Sequence, residues 1–497
     1  EVTALAQRCG CLPMALRAAG ALLRRRPDLT PARVDALLTD AARRLALADP
    51  ERETTVAAAF QASYEQLTPE LQNRWRALGI FPADFDAPAA AAVWEQAADP
   101  GETLAELHAA GLVDAVTGGR WRLHDLARDF TRALCPPAEL DALAYRHAAY
   151  YMNVLTEANH LYLKGNENIL AGLVLFDRER ANIEAGQAWA VAYLHAPSVI
   201  PICNEYPNAG FMILSLRLHP RVQIVWLEAA LKASLKLGYQ DYEGFHLINL
   251  GNAYKDLGDS HRAIDYYMQA LVIAREIGDR RSEGNALGNL GSTYKDLGDP
   301  CRAIEYYEQH LTIAREIGDL SGVGAALGNL GLVWATRGEP RRAIEYYEQQ
   351  LIITRQLGDR RGEGNALGNL GSAWAAIGDL VQAIKHYERR LAIACEIGDQ
   401  RGKGNALGSL GNAYKQLGNS DQAIEYYEQA LAVARKISDR QGETITCWNL
   451  GRLLEDQGEL CRAIDLMQVR VDFLRSISHP RAEELAARVE QIRQKLE

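Results

Sequence analysis

The residues of this chain whose type and spacing could do chemistry are mostly amides. Asn289 has counterparts at Asn249, Asn329, Asn369, Ser409 and Asn449, one every 40 residues. A side-chain amide offers both donors and an acceptor, so a ladder of them suits gripping a peptide backbone without reading its sequence. The competing use is structural, each amide bonding the neighbouring repeat. Beside the ladder run two columns that vary. One reads Asn252, Ser292, Leu332, Ser372, Asn412 and Arg452, the next Lys255, Lys295, Ala335, Ala375, Lys415 and Glu455. Their middle is apolar, with Leu332, Ala335, Ala375 and Ala376, and Lys255, Lys295 and Lys415 stand at the flanks. That pattern suits a peptide with hydrophobic anchors and acidic ends, because central buried anchors dominate binding energy. Asn285, Gly288 and Asn405 complete the set of candidate ligand-facing residues.

Other chemistries lack their residues. No catalytic triad, paired-His metal motif or carboxylate constellation is present, so the sequence assigns no catalytic and no metal-binding residue, and an enzyme is not expected. The eight cysteines are scattered and form no Cys-x-x-Cys pair, which fits incidental thiols in a reducing, cytoplasmic setting. A formal net charge of −10 makes a nucleic-acid partner unexpected, since phosphate contacts need clustered Lys and Arg. No apolar run approaches the ~18 residues of a membrane span.

The elements that must position the amides are set by a repeat. GNALGNLG at 284–291 returns at 364–371, and near-copies stand at 324–331 and 404–411. Self-similarity at such a period predicts a stacked helical array. In the unit 281–320, one helix carries Ala286, Leu287, Leu290, Gly291 and Tyr294 and ends at Gly298. A second opens at Pro300 and carries Ala303, Ile304, Tyr307 and Leu311. Small Gly291 and Ala303 would let the two helices approach closely. Gly288 in mid-helix costs about 0.5 to 1 kcal/mol relative to Ala, which a close approach by a ligand backbone or a neighbouring helix would have to offset. Arg275, Arg315, Arg355 and Arg435, near the ends of second helices, read as structural. Leu-Gly-x-x-Tyr, then Gly, then Ala-Ile-x-x-Tyr resembles the tetratricopeptide repeat, in a lengthened form similar to Pins-type spindle adaptors and kinesin light chains. The resemblance implies a right-handed α-solenoid of about six 40-residue units over 241–479, a divergent repeat before it, a capping helix over 480–497, and a peptide or protein ligand in a concave groove that the first helices line.

The first half reads as helices over 1–48, four short helices and a Gly118-Gly119 hairpin over 49–135, and a helical adaptor over 136–240. Helices followed by a hairpin describe a winged helix. With 13 Asp and Glu against 7 Arg over 51–135, a packing or regulatory role is favoured over DNA binding. Three motifs then resemble the second half of the nucleotide-binding module of STAND NTPases, the NB-ARC-like class that includes plant immune receptors, the apoptosome scaffold and many bacterial sensors. Cys11-Leu12-Pro13-Met14-Ala15-Leu16 is similar to its Gly-Leu-Pro-Leu motif, Ser63 to Leu67 with Leu78 to Pro82 to the opening of its winged helix, and Leu123-His124-Asp125-Leu126 to its Met-His-Asp motif. The resemblance implies that Pro13 lines an adenine pocket and that His124 reaches the β-phosphate of ADP. Read bottom-up, Pro13 opens a helix and His124 ends a strand.

No Gly-x-x-x-x-Gly-Lys-Ser/Thr loop occurs, and Gly402-Lys403-Gly404 lies inside a repeat; the ATPase half is expected outside this chain, which opens at Glu1 as a fragment would. No cofactor is expected in the chain itself; ADP or ATP with Mg²⁺ and oligomerisation on activation are implied for the full-length protein. The expected function is therefore the sensor and regulatory part of a STAND switch, and a role in defence or transcription control is what the resemblance implies. The alternative is a peptide-binding scaffold without a switch.

Overall fold

A computed structural model of the chain describes residues 2–8, 13–48, 54–95, 99–165 and 167–495. These form 26 α-helices, a single 3-10 turn at Leu78–Ile80 and one two-stranded sheet, and they divide into two compact units, 1–258 and 259–497.

In the first unit, helices Pro13–Arg25 and Pro31–Ala48 pack against Thr54–Glu65. Short helices follow at Pro69–Ala77, Ala87–Trp94 and Pro100–Ala109, each with proline in its first turn, where the missing N–H costs no hydrogen bond. Thr68, Asp86 and Asp99 cap them from the preceding position. The hairpin pairs Asp114–Val116 with Arg120–Arg122, as the alternation around Gly118-Gly119 predicts; both glycines take positive φ, and nothing lies within 4 Å of where a Cβ would stand. Their need is conformational, not steric. Trp75, buried with Phe60 and Phe130 around it, anchors this core and donates to Leu112 O at 3.1 Å. Two long helices, Pro137–Lys164 and Asn168–Ala192, pair along their length, and Ile200–Ala209, Phe211–Arg217, Pro220–Leu237 and Gln240–Asp256 complete the unit.

The second unit is the solenoid. Helix Ser260–Ile277 is followed by five helix pairs between Arg280 and Ser476 and by the closing helix Ala482–Arg493. The first four pairs are built alike, and in the fifth Gly451 meets Met467 instead of a tyrosine. A Cβ on Gly291 would stand 2.8 Å from the Tyr307 ring, and Gly331, Gly371 and Gly411 meet Tyr347, Tyr387 and Tyr427 in the same way. The glycine is thus required by helix-to-helix distance. Positive-φ residues recur every 20 residues from Gly278 to Gly418 and again at Gly458, with Ser438 and Ser478 taking the same conformation. They end each helix and release the chain into the next. Asp279, Asp299, Asp319, Asp359, Asp379, Asp399 and Asp439 then accept the N–H of the new first turn. The closing helix buries Val489 and Ile492 on Met467 and Val471, as expected of a cap; Leu496 lies outside the described residues.

Candidate functional site

The amide ladder lies on the first helix of each pair, at Arg280–Asp296, Leu320–Thr336, Arg360–Ile377, Gln400–Gln416 and Arg440–Asp456. Asn289, Asn329, Asn369, Ser409 and Asn449 are half-buried, while Asn285, Asn405, Leu332, Ser372 and Asn412 are exposed. The side chains of Asn289, Asn329 and Asn369 hydrogen-bond to no described residue, so the three central amides keep their full capacity. The last amide differs: Asn449 Nδ2 donates to Asn412 Oδ1 at 3.4 Å, and Tyr427 OH donates to the same oxygen at 2.7 Å. Only there does an amide of the ladder bridge two repeats.

The flanking lysines are engaged. Lys295 Nζ stands 3.3 Å from Asp296, and Lys415 Nζ stands 3.4 Å from Asp456. Ser372 Oγ lies 3.2 Å from Tyr387 OH, and Ser292 is half-buried. Asn249, Asn252 and Lys255 belong to the first unit, on helix Gln240–Asp256. Asn249 Nδ2 donates to Phe245 O at 2.9 Å. With Asn252 it lines an apolar cavity of about 200 Å³ with Phe211, Leu218 and Trp226.

Gly288 resolves into a packing site. A Cβ there would lie 3.1 Å from His310 Nδ1 on the second helix of its own repeat; Gly328 faces Gln350 likewise, and Gly368 faces Arg390 at 2.5 Å. The close approach is made by a second-helix side chain. These side chains form a column that the sequence reading missed: Ala270, His310, Gln350, Arg390, Ala430 and Arg470. Its signal was available, as a position that changes size and charge inside an otherwise repeated frame. His310 Nδ1 and Gln350 Oε1 are buried without a hydrogen-bond partner. Burial depresses the pKa of His310 and of Arg390. At Gly408 nothing lies within 4 Å, because the column holds Ala430. A cavity of about 330 Å³ opens there, lined by Arg390, Asn405, Gly408, Ser409 and Asn449 among others. An adjoining one of about 650 Å³ reaches Lys415 and Arg452.

The arginines assigned to structure bind between repeats. Arg275 Nε donates to Glu283 at 2.8 Å and Arg355 Nε to Glu363 at 2.8 Å, while Arg280 and Arg360 pair with the same carboxylates and with Glu316 and Glu396.

In the first unit, His124 is exposed and caps helix Asp125–Leu134, its Nδ1 accepting from Leu126 N at 3.3 Å. A neutral imidazole used in this way carries its proton on Nε2. Pro13 opens helix Pro13–Arg25; Cys11 and Leu12 lie outside the described residues. Behind the hairpin, Arg120 makes a two-pronged bond to Glu179, at 2.5 and 3.0 Å, and donates to Asp84 O at 2.8 Å. Asn182 Nδ2 donates to Asp84 O at 3.0 Å. Burial works against the charge on Arg120, and the bonds to Glu179 and Asp84 outweigh it, raising its pKa. No cluster of metal-ligating side chains occurs among the described residues, and no described helix is long and apolar enough to cross a membrane.

The tetratricopeptide repeat family profile matches residues 242–316, 322–396 and 403–476. These are tetratricopeptide repeats. Their frame explains the glycine–tyrosine packing above. The regulatory protein AfsR of Streptomyces coelicolor is 36% identical over 138 residues, and that of Streptomyces griseus 34% over 151 residues. The matches cover 27% and 29% of this chain but only 14% and 15% of those proteins, so the chain spans a small part of the length of the curated relatives it matches. A Signal Transduction ATPase with Numerous Domains (STAND) protein with a tetratricopeptide repeat sensor, from Pyrococcus horikoshii, shares the fold with a TM-score of 0.63 at 17% identity, over 97% of this chain and 69% of that one.

Proposed function

We propose that this chain is the sensor and regulatory part of a STAND signalling protein. The repeats capture a peptide or protein segment, and the first unit passes that event to a nucleotide switch encoded outside the chain. The observation that carries the reading is the set of unengaged amides at Asn289, Asn329 and Asn369. Their polar atoms stay open to water, and a peptide backbone running along the first helices offers each one a carbonyl and an N–H in place of that water. The fold shared with a STAND protein over nearly the whole chain and the regulatory relatives support placing that groove in a switch.

For the first unit, the reading makes residues 49–135 a winged helix and His124 its nucleotide contact. With Nδ1 committed to the helix cap, Nε2–H is the group left to donate to a phosphate oxygen. Pro13 would line the adenine side. ADP or ATP with Mg²⁺ would be held mainly by the part of the protein outside this chain and would supply the phosphate charge that His124 reads. The Arg120–Glu179 pair ties the hairpin beside His124 to helix Asn168–Ala192, so a shift of the hairpin moves that helix with it. Ligand must favour the open state over the closed one, because equal affinity for both shifts nothing.

Replacing Asn289, Asn329 and Asn369 together by Ala tests the groove. Peptide capture is expected to be lost with helicity unchanged, and capture that survives returns the ladder to a structural role. The switch is tested in the coding sequence upstream of Glu1, where a phosphate-binding loop is expected within roughly 200 to 300 residues, the span of one or two domains. Without that loop the chain is a scaffold.

A further inference from the structure

Along the second-helix column, each large side chain is accommodated differently. Arg470 donates to Thr444 Oγ1 at 2.8 Å. Arg390, two repeats earlier, extends over Gly368 and forms no hydrogen bond or ion pair with any described residue. Its site offers none: the Thr444 position is Gly364 in its own repeat and Gly404 in the next. Nearby carboxylates are already committed. Asp399 caps Gly402 N at 2.9 Å, and Asp439 caps Gly442 N at 3.0 Å and lies 3.8 Å from Arg401. Burial lowers the pKa of Arg390 and the charge of Asp399 only partly opposes it, yet an arginine stays charged in proteins, so a partly desolvated cation is left without a direct ion pair. Beside it the column shrinks to Ala430 and the cavity of about 330 Å³ begins, bordered by Asn405, Ser409 and Asn449. Positive charge continues into the adjoining cavity at Arg452, and Lys415 there is shared with Asp456.

We infer that Arg390 and the cavity over Ala430 form a subsite for one acidic side chain of the captured peptide, its carboxylate paired with the guanidinium and its stem seated over Gly408 and Ala430. This rests on the peptide-binding reading of the groove and adds where the acidic residue goes. The geometry suits a carboxylate, since a guanidinium presents a planar fork of donors that a carboxylate meets in two places. A partly buried, unpaired charge is also where a partner contributes most, because both the new bond and the relief of the orphan cation count. Of the large members of the column, His310 and Gln350 set no charge against an acid, and Arg470 is engaged by Thr444, so Arg390 fixes the register of the acid on the groove.

The test is selection of a random-peptide phage library on the whole chain. The peptides are displayed with their C-termini fused to the coat protein, so that side chains supply the only carboxylates. Enriched peptides are expected to share an Asp or Glu at one register. Changing it to Asn or Gln in the synthetic peptide should weaken binding about tenfold, or about 1.4 kcal/mol, on the unmodified chain, and less than about twofold on Arg390→Gln. Gln is already tolerated at the equivalent Gln350, so this variant keeps the repeat packing, and unchanged helicity confirms it. Arg390→Lys should recover part of the discrimination, as charge without the fork. Enriched peptides with no shared acid, or an acid whose removal costs the same on Arg390→Gln, overturn the subsite and leave the groove standing. A library from which nothing is enriched overturns the groove and the subsite together.

Discussion

In the first unit, both members of an ion pair are sealed from water, Arg120 at 7% and Glu179 at 3% exposure. In the repeats only the acid is buried: the Glu363 side chain is 8% exposed, while those of Arg355 and Arg360, which flank it, are 48% and 41% exposed. The two arrangements carry different costs. A carboxylate met by two arginines at a solenoid edge needs little desolvation of its partners, and losing it frees those partners to hydrate. The Arg120 site allows no such escape. Its hairpin and helix Asn168–Ala192 come from distant parts of the sequence, and removing one charge leaves the other buried, met only by Asp84 on the Arg120 side and by Arg178 on the Glu179 side. The repeats use charge as a tie between like neighbours, and the first unit uses it as a joint between unlike elements.

The largest way to break this contrast is to remove one partner on each side. Glu179→Ala should cost about 3 to 5 kcal/mol, as breaking a fully buried pair does, and Glu363→Ala about 1 kcal/mol. Urea denaturation followed by hydrogen exchange resolves the two units. Equal losses would mean that burial is not what separates them.

Acid sharpens the contrast. Burial pushes the pKa of His147 and of His246 down to about 4 from an ordinary 6.5. His147 sits among Phe81 and Tyr151 near the Arg120 network, and His246 Nε2 lies 3.0 Å from Asn204 Oδ1. Between pH 6.5 and about 4 the unfolded chain binds protons that the folded first unit refuses. Stability is therefore full above pH 6.5 and falls as pH drops towards 4, by about 1.4 kcal/mol per pH unit for each histidine. Exchange protection of the first unit measured from pH 7 to 4.5 should follow that slope, and His147→Phe should flatten it. An unchanged slope would remove His147 from the account.

How much of this was legible depends on how local its cause is. The period of the repeat, the helix ends at Gly298 and its counterparts, and the Gly291–Tyr307 contact follow from residue size and backbone freedom within one unit, and all were readable. The joint at Arg120 was not: 59 residues separate it from Glu179, and in the sequence one is an alternating strand residue and the other a helix charge. The groove reading was half legible. The first-helix amides could be placed, but His310, Gln350 and Arg390 sit next to the apolar stripe of their own helices, and only the packing of each second helix against glycines of the first brings them to Gly288, Gly328 and Gly368. The mid-helix glycines were the clue, and their partner was on the same repeat.

Those glycines also give the smallest effects and the cleanest internal control. Gly331→Ala places a methyl 2.5 Å from the Tyr347 ring, and the ring, buried at 2% exposure, has nowhere to move, so about 1 to 3 kcal/mol should be lost to overpacking. Gly408 has the same helical setting and no neighbour within 4 Å. With sterics removed, only backbone entropy is left, and Gly408→Ala should stabilise the second unit by about 0.5 to 1 kcal/mol. Chemical denaturation of both variants against the parent decides it: opposite signs are expected. If Gly408→Ala destabilises, the space over Ala430 is already used in the folded protein, and the contrast between filled and open repeats fails with it.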